Sequence, residues 1–447
     1  MITEAVILLK EKGITELLGL SIIKRLILSA GQAGLKYIIL LAQGQTWEKE
    51  LVQALATDRR INSRGIKVNY ISAAEVETEE NISRMISGPA FWLISGEVVL
   101  SERVFNGSAE ANKKLEQPLI FTTGKESKTE SARPEANLVL CPSSFWPALV
   151  KAWKAGQWSL TDEVKLGTWL IEYGAARLVS LPEGWLVKVD SSASRKEAVK
   201  LLLQSARKPQ DGFIARHINR RISLFFTRFL APLRVKPSIL SVLNFLIGLS
   251  AAVLCALGKN YWYFLVGGFL FEFSSIFDGC DGEVARLTYN SSEKGGLLDV
   301  VFDALTYILF FSGLAVGLYR QTKENIFLWL LGLFLTSIAW YYFNLYHLSK
   351  ASGIGSKIYL VAKEVEAQGQ KKKETSVADR LAAKLAFALR RDFFATMVFL
   401  LLALKLSKIL LVLVTMGALV ESVYVYFFRR KKIKDLYYEK QNYYNLA

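Results

Sequence analysis

Apolar positions change character part-way along the chain. Up to residue 204 they come in short runs, Ala5 to Leu9, Tyr37 to Leu41, Lys67 to Ile71 and Phe91 to Ser95. Helical periodicity falls between these runs, at Ile22 to Ala33, Trp47 to Ala56 and Ala73 to Ile86. Strand-length runs alternating with amphipathic helices predict a Rossmann-like α/β domain with a mostly parallel sheet and crossover helices. Further strands are expected at Leu119 to Thr122 and Asn137 to Cys141. The polar segment Thr123 to Glu135, which holds Gly124 and Pro134, reads as a loop between them.

A junction covers residues 205–234. The helical pattern of Arg195 to Arg207 is broken by Lys208-Pro209-Gln210-Asp211-Gly212. Then Phe213, Ile214, Ile218, Ile222, Phe225, Phe226, Phe229 and Leu230 recur at helical spacing, with Arg216, Arg220, Arg221 and Arg228 among them. Such a stretch predicts an amphipathic helix lying in a membrane interface. Residues 235–447 read as an all-α membrane domain of six spans: Ser238 to Leu257, Trp262 to Leu287, Gly295 to Leu318, Ile326 to Leu345, Phe393 to Leu404 and Ile409 to Phe428.

Composition agrees with a partly membrane-embedded chain: 447 residues, 52% hydrophobic, mean hydropathy +0.26. A formal charge of +16 would suit nucleic acid, but the cations gather beside the spans and no nucleic-acid module is visible. The segment Ser349 to Arg391, with Lys357 and Arg390 among its cations, and the tail Arg429 to Lys432 belong in the cytoplasm by the positive-inside rule. An even number of spans keeps the N-terminal domain and the tail on that same side of the cell membrane. Cys141, Cys255 and Cys280 are dispersed and form no disulfide framework. Met1-Ile2-Thr3-Glu4 leads into a strand-like run, so no signal peptide is expected.

Four aspartates stand out at the boundary of two spans. Asp278 and Asp281 are spaced i,i+3, and Asp299 and Asp303 i,i+4, so each pair projects from one face of its own helix. The short joint Leu287 to Lys294 folds the second helix back, and the two acidic faces meet. Ionised carboxylates at membrane depth are costly and tend to be functional; a cluster of four repels itself without a cation. An all-oxygen ligand set suits Mg²⁺, Mn²⁺ or Ca²⁺, and the two histidines, His217 and His347, make no zinc cluster. Mg²⁺ keeps positions open for phosphate oxygens. Gly282 and Ala285 leave room beside the acidic face, and Arg286 adds a fixed charge for a phosphate.

The pattern Asp278-x2-Asp281-Gly282-x2-Ala285-Arg286-x8-Gly295-x3-Asp299-x3-Asp303 resembles that of the CDP-alcohol phosphotransferase family at every motif position. The resemblance implies transfer of a phosphoalcohol from a CDP-alcohol donor to an alcohol acceptor, with release of CMP. It implies two Mg²⁺ or Mn²⁺ ions held by Asp278, Asp281 and Asp299, with Asp303 beside them as general base. Gly282, Ala285, Arg286 and Gly295 would line the donor. Counting about 1.5 Å per residue, Asp278 lies roughly 24 Å along its span, near the cytoplasmic end. Arg216, Arg220, Lys357 and Arg390 are candidates for a phosphorylated acceptor, with attraction to anionic lipid as the plainer reading. The resemblance also implies a homodimer, for which Gly267, Gly268, Gly313 and Gly317 offer close-packing surfaces. A transporter with an aspartate ion path is the competing class; it predicts internally repeated, broken helices, which the sequence lacks.

The first 200 residues resemble a degenerate sugar nucleotidyltransferase, through Leu18-Gly19-Leu20-Ser21-Ile22-Ile23-Lys24-Arg25-Leu26, Ala33-Gly34-Leu35-Lys36, Ser95-Gly96-Glu97 and Val189-Asp190-Ser191. That resemblance implies metal-binding carboxylates at Glu97 and Asp190. It also implies a long glycine-rich loop after the first strand, whose N–H groups would cradle phosphates. Here Leu9-Lys10-Glu11-Lys12-Gly13 runs almost directly into the next helix, so a scaffolding or regulatory role is expected ahead of an active or nucleotide-binding one. Fused relatives that join a cytidylyltransferase to such a transferase make di-inositol phosphates from soluble CDP-inositol. The short loop shifts the expectation toward CDP-diacylglycerol and phospholipid synthesis.

Overall fold

A computed structural model describes residues 2–72, 86–107, 115–122, 135–181, 183–207, 218–351 and 391–445. The chain divides into two compact units. The first is Met1–Ala206 with Ala231–Arg234 and Leu287–Tyr289, and the second is Arg207–Leu230 with Val235–Arg286 and Asn290–Ala447.

In the first unit the strands are β1 (Glu4–Leu8), β2 (Glu16–Leu17), β3 (Leu20–Ser21), β4 (Tyr37–Ala42), β5 (Lys67–Ser72), β6 (Ala90–Ser95), β7 (Val98–Leu100), β8 (Leu119–Thr122), β9 (Leu138–Pro142), β10 (Arg177–Ser180) and β11 (Leu186–Lys188). The main sheet has the order β10-β8-β9-β6-β1-β4-β5. As expected it is mostly parallel, with β9 antiparallel to β6 and β8. Helices α1 (Ile22–Gln32), α2 (Thr46–Ala56), α3 (Arg59–Asn62), α4 (Arg103–Gly107), α5 (Trp146–Lys154), α6 (Glu163–Gly174) and α7 (Ser192–Ser205) belong to this unit. Ser21 caps α1 by accepting from the Lys24 N–H, and Gln45 with Glu48 makes a capping box on α2. Val6, Leu8, Leu41, Phe91, Leu93 and Trp146 share the core on one face of the sheet, and the alternate positions of β1, β4 and β6 are buried too, which explains why the inner strands read as unbroken apolar runs. The helix expected over 73–86 and the loop over 123–135 lie almost wholly outside the described residues. Periodicity did not reveal β10, the β7–β11 ribbon, α5 or α6; each strand there is only three or four residues long, too short for an alternation to register.

β1 pairs with β4 on one side and β6 on the other, so the direction of crossover reverses there and a ligand crevice is expected at the ends of those strands. Charged side chains meet one another at those ends. Lys10, two residues past β1, donates to Glu163 at the start of α6, and both are buried. Ser95 Oγ donates to the same carboxylate at 2.8 Å, and Lys188 reaches Glu135 at 2.9 Å and Glu163 at 3.5 Å. The Gly96 N–H donates to Leu8 O at 2.9 Å, and a Cβ on Gly96 would collide with that carbonyl.

The second unit holds α8 (Arg220–Leu230), α9 (Pro237–Leu257), α10 (Tyr261–Leu287), α11 (Glu293–Thr322), α12 (Ile326–Ala351), α13 (Arg391–Ala403) and α14 (Ser407–Asn445). Among the described residues five helices are long and apolar enough to cross a membrane, within α9, α10, α11, α12 and α14, and the chain is an integral membrane protein. The expected fifth span corresponds to α13, whose apolar part Phe393–Ala403 is shorter than a bilayer crossing needs. α8 is amphipathic as expected: Ser223, Leu224 and Thr227 are buried while Phe225 and Phe229 stay 60% and 57% exposed. Its expected first half, 213–217, lies outside the described residues.

The glycines assigned to a dimer surface pack helices within the chain. A Cβ at Gly313 or Gly317 would strike the carbonyl of Ala252 or Cys255 on α9, one at Gly267 would meet Cys255 Sγ, and one at Gly268 would meet Leu402. These contacts bring α9, α10 and α11 together around a core in which Phe271 and Phe310 stack at 4.1 Å.

Burial by itself would raise the Glu163 carboxyl, but the hydrogen bond and charge of Lys10, with the Ser95 hydroxyl, hold it below its ordinary value of 4.5. A depressed folded pKa contributes stability that is present above the ordinary carboxylate range and is lost as pH falls through the depressed value. Glu163→Gln leaves Lys10 buried without its counter-charge and is expected to cost about 3–5 kcal/mol near neutral pH. Thermal melts across pH check this: the gap between wild type and variant should close in acid, and equal melting at pH 7 contradicts it.

Candidate active site

The acidic site is built by two helices that each contribute two carboxylates. Asp278 and Asp281 lie in the last turns of α10, and Asp299 and Asp303 follow within the first three turns of α11. α11 starts where it does because Ser292 caps it, its Oγ accepting from the Gly295 N–H at 3.0 Å. Gly295 packs tightly there: a Cβ would come to 3.0 Å from Ser292 Oγ and 3.8 Å from Ser238 Oγ at the start of α9.

Carboxylate oxygens of Asp278, Asp299 and Asp303 fall within 4.8 Å of one another, and all three residues are half-buried. Asp281 lies beside them, only 9% exposed, within hydrogen-bonding reach of Asp299, and its Oδ2 accepts from Ser241 Oγ on α9. Like charges this close at the end of apolar helices need a cation or a proton between them. Hard oxygen donors from several carboxylates fit Mg²⁺ or Mn²⁺.

Other motif positions have a more specific use than open space. The Arg286 guanidinium lies across Gly282, where a Cβ would approach its Nη1 to 3.2 Å, and Ala285 is half-buried. A larger residue than glycine at 282 would displace that charge. Gly279 similarly leaves space for Arg220, since its Cβ would collide with the Arg220 Nη1.

Arg220, expected to hold an acceptor phosphate, is engaged elsewhere. Its Nη1 donates to Glu283 at 2.9 Å, and the same carboxylate accepts from Ser223 Oγ and Thr227 Oγ1, each at 2.7 Å. Glu283 is fully buried and Arg220 nearly so, which makes them a charge-assisted cluster fastening α8 to α10. Arg216, Lys357 and Arg390 lie outside the described residues. In the first unit, Glu97 and Asp190 are brought to one end of the β7–β11 ribbon, where the Val189 N–H donates to Glu97 O at 2.9 Å. The Asp190 carboxylate accepts from Ser194 Oγ at 3.1 Å.

Sequence reasoning missed Ser241, Asn244, Ser274 and Glu283. Asn244 Nδ2 lies 3.4 Å from Asp278 Oδ1, and Asn244 Oδ1 accepts from Ser274 Oγ at 2.9 Å. A signal was present: Ser241 and Asn244 are three apart in an apolar span, and Ser274 lies one turn before Asp278.

Residues 234–420 match the family model for CDP-alcohol phosphatidyltransferases. The bifunctional IPC transferase and DIPP synthase of Archaeoglobus fulgidus is 32% identical over 235 residues, covering 51% of this chain and 44% of that protein. Its namesake from Rubrobacter xylanophilus is 27% identical over 243 residues, covering 54% and 53%. The chain thus spans about half the length of these curated relatives. Solved structures that align with it include the inositol-1-phosphate CTP transferase from T. maritima, at 12% identity and a TM-score of 0.30, covering 45% of this chain and 96% of that one. A 4-diphosphocytidyl-2C-methyl-D-erythritol synthase from Anaerococcus prevotii aligns at 13% identity and a TM-score of 0.33, with 45% and 96% covered.

Arg220→Ala strands the buried Glu283 carboxylate with two hydroxyl donors and is expected to destabilise the membrane unit by about 3–5 kcal/mol. A melt of the purified protein in detergent reads this. An unchanged melting temperature together with a raised acceptor KM would return Arg220 to the acceptor site.

Proposed function

We propose that residues 234–420, as a CDP-alcohol phosphatidyltransferase domain, move a phosphoalcohol group from a CDP-alcohol to an acceptor hydroxyl and release CMP. The observation that carries this reading is the convergence of carboxylates from α10 and α11 to within 4.8 Å. Asp278, Asp281, Asp299 and Asp303 are the residues to hold two Mg²⁺ or Mn²⁺ ions, the converging oxygens being those of Asp278, Asp299 and Asp303. When bound, the ions neutralise the donor diphosphate and the charge developing on CMP.

The protein's own groups supply position and proton transfer. Arg286, laid across Gly282, offers a fixed cation to a phosphate oxygen. Asp303 lies one turn beyond Asp299 on α11 and accepts the proton of the acceptor hydroxyl. The acceptor oxygen then bonds to phosphorus, the phosphorus–oxygen bond to CMP breaks, and CMP leaves with the electron pair. The basic segments on either side of the α13–α14 pair, Ser349 to Arg391 and Arg429 to Lys432, both lie inside when α13 crosses together with α14, and on that topology the N-terminal unit shares the cytoplasmic side, where CDP-linked donors are held. The dimer that the resemblance implied stays part of this reading, with other surfaces than the four glycines at its interface. The charged network at the β1/β6 crevice supports a scaffolding role for the first unit.

Two donor classes are open to this chemistry. A lipid donor, CDP-diacylglycerol, suits a site at the boundary of membrane spans. The names of the matched relatives favour a second reading, a DIPP synthase type of transfer from soluble CDP-inositol.

CMP release by the purified protein with each donor, with and without Mg²⁺, tests the proposal. Release is expected to need the metal and to stop in excess EDTA; full release in EDTA sinks it. Asp303→Asn is expected to keep near-native Mn²⁺ and donor affinity while losing about 10²-fold or more in kcat. Calorimetry on the same preparation decides the roles: loss of binding in Asp303→Asn but not in Asp299→Asn exchanges ligand and base.

A further inference from the structure

A polar seam runs along the contact between α9 and α10 and ends at the acidic site. Ser274, Asp278 and Asp281 stand at i, i+4 and i+7 on one face of α10, and Ser241 and Asn244 at i, i+3 on α9. Ser241, Asn244 and Ser274 are 5%, 6% and 2% exposed. Their bonds form two short chains: Ser241 to Asp281, and Ser274 through Asn244 to Asp278.

Each chain has a direction. Ser241 Oγ also lies 3.4 Å from the Pro237 carbonyl, but a hydroxyl has one proton and Asp281 Oδ2 is the closer acceptor. Ser274 donates to Asn244 Oδ1, which turns the Asn244 amide so that its N–H faces Asp278. In an apolar span these groups have few other partners, so the arrangement is held tightly.

We propose that Ser241 and the Asn244–Ser274 pair are positioning residues: by each donating a hydrogen bond to one oxygen, Ser241 to Asp281 and Asn244 to Asp278, they hold both carboxylates in the orientation that presents them to the divalent cation. The proposal rests on the reading of the aspartate cluster as a metal site. Ligand carboxylates are commonly oriented by such hydrogen bonds, and removing one costs 10- to 100-fold in metal affinity.

Mn²⁺ binding to the full-length protein in detergent, followed by electron paramagnetic resonance without any CDP-alcohol, tests it. Ser241→Ala and Asn244→Ala are each expected to weaken Mn²⁺ binding by about 10- to 100-fold. Ser241→Thr, which keeps the hydroxyl, should restore the affinity, and saturating Mn²⁺ should recover much of the turnover lost in the alanine variants. A role confined to packing would lower the melting temperature and leave Mn²⁺ affinity alone. If Ser241→Ala does not fold, Ser241→Cys, a weaker donor of similar size, gives the same reading. Wild-type protein that binds Mn²⁺ while both alanine variants bind it equally well overturns this proposal alone. Wild-type protein that binds no Mn²⁺ overturns the functional reading and this one with it.

Discussion

Four carboxylates at one end of a bundle of apolar helices repel one another and lose hydration together, and the geometry of the membrane unit is arranged around that cost. No single helix carries more than two of them. α10 ends on Asp278 and Asp281, and α11, started by the Ser292 cap, brings Asp299 and Asp303 back against them. The close approach depends on residues with little or no side chain. Gly313 and Gly317 bring α11 against the backbone of α9, and Gly267 does the same for α10.

The acidic helix is secured on a second face by a charge of its own. Glu283, inside the motif but turned away from the four aspartates' ligand positions, collects Arg220, Ser223 and Thr227 from α8. A buried carboxylate with one guanidinium and two hydroxyls is well satisfied, and Gly279 leaves the space that lets the guanidinium reach it. The amphipathic helix is therefore joined to the motif helix by directional bonds as well as by apolar contact. Its exposed phenylalanines remain free to meet a membrane interface.

Electrostatics settle the first unit differently. The crevice where the sheet reverses direction is the place an α/β domain offers a ligand. Lys10, Glu163, Lys188 and Glu135 answer one another's charge there, and Ser95 completes the network. The short segment after β1 is part of the same arrangement: Gly13 packs against the Gly96 carbonyl, leaving no length for a phosphate-cradling loop.

Much of this was legible in the sequence, because it depends on periodicity or on spacing along one element. Strand-length apolar runs gave the parallel core from β1 to β6, hydropathy gave six spans of which five are long helices, and the i,i+3 and i,i+4 spacings placed the aspartates on facing helices. The rest required rotation of one helix about its axis relative to another, which no one-dimensional pattern encodes. That rotation decided that the glycines pack α9 against α10 and α11, that Arg220 meets Glu283, and that Ser241, Asn244 and Ser274 reach the aspartates. The packing of α6 against the sheet likewise decided that Lys10 and Glu163, 153 residues apart, share one buried site. A hydrogen bond acts over about 3 Å and in one direction, so residue identity sets what can pair while only the packed backbone sets what does.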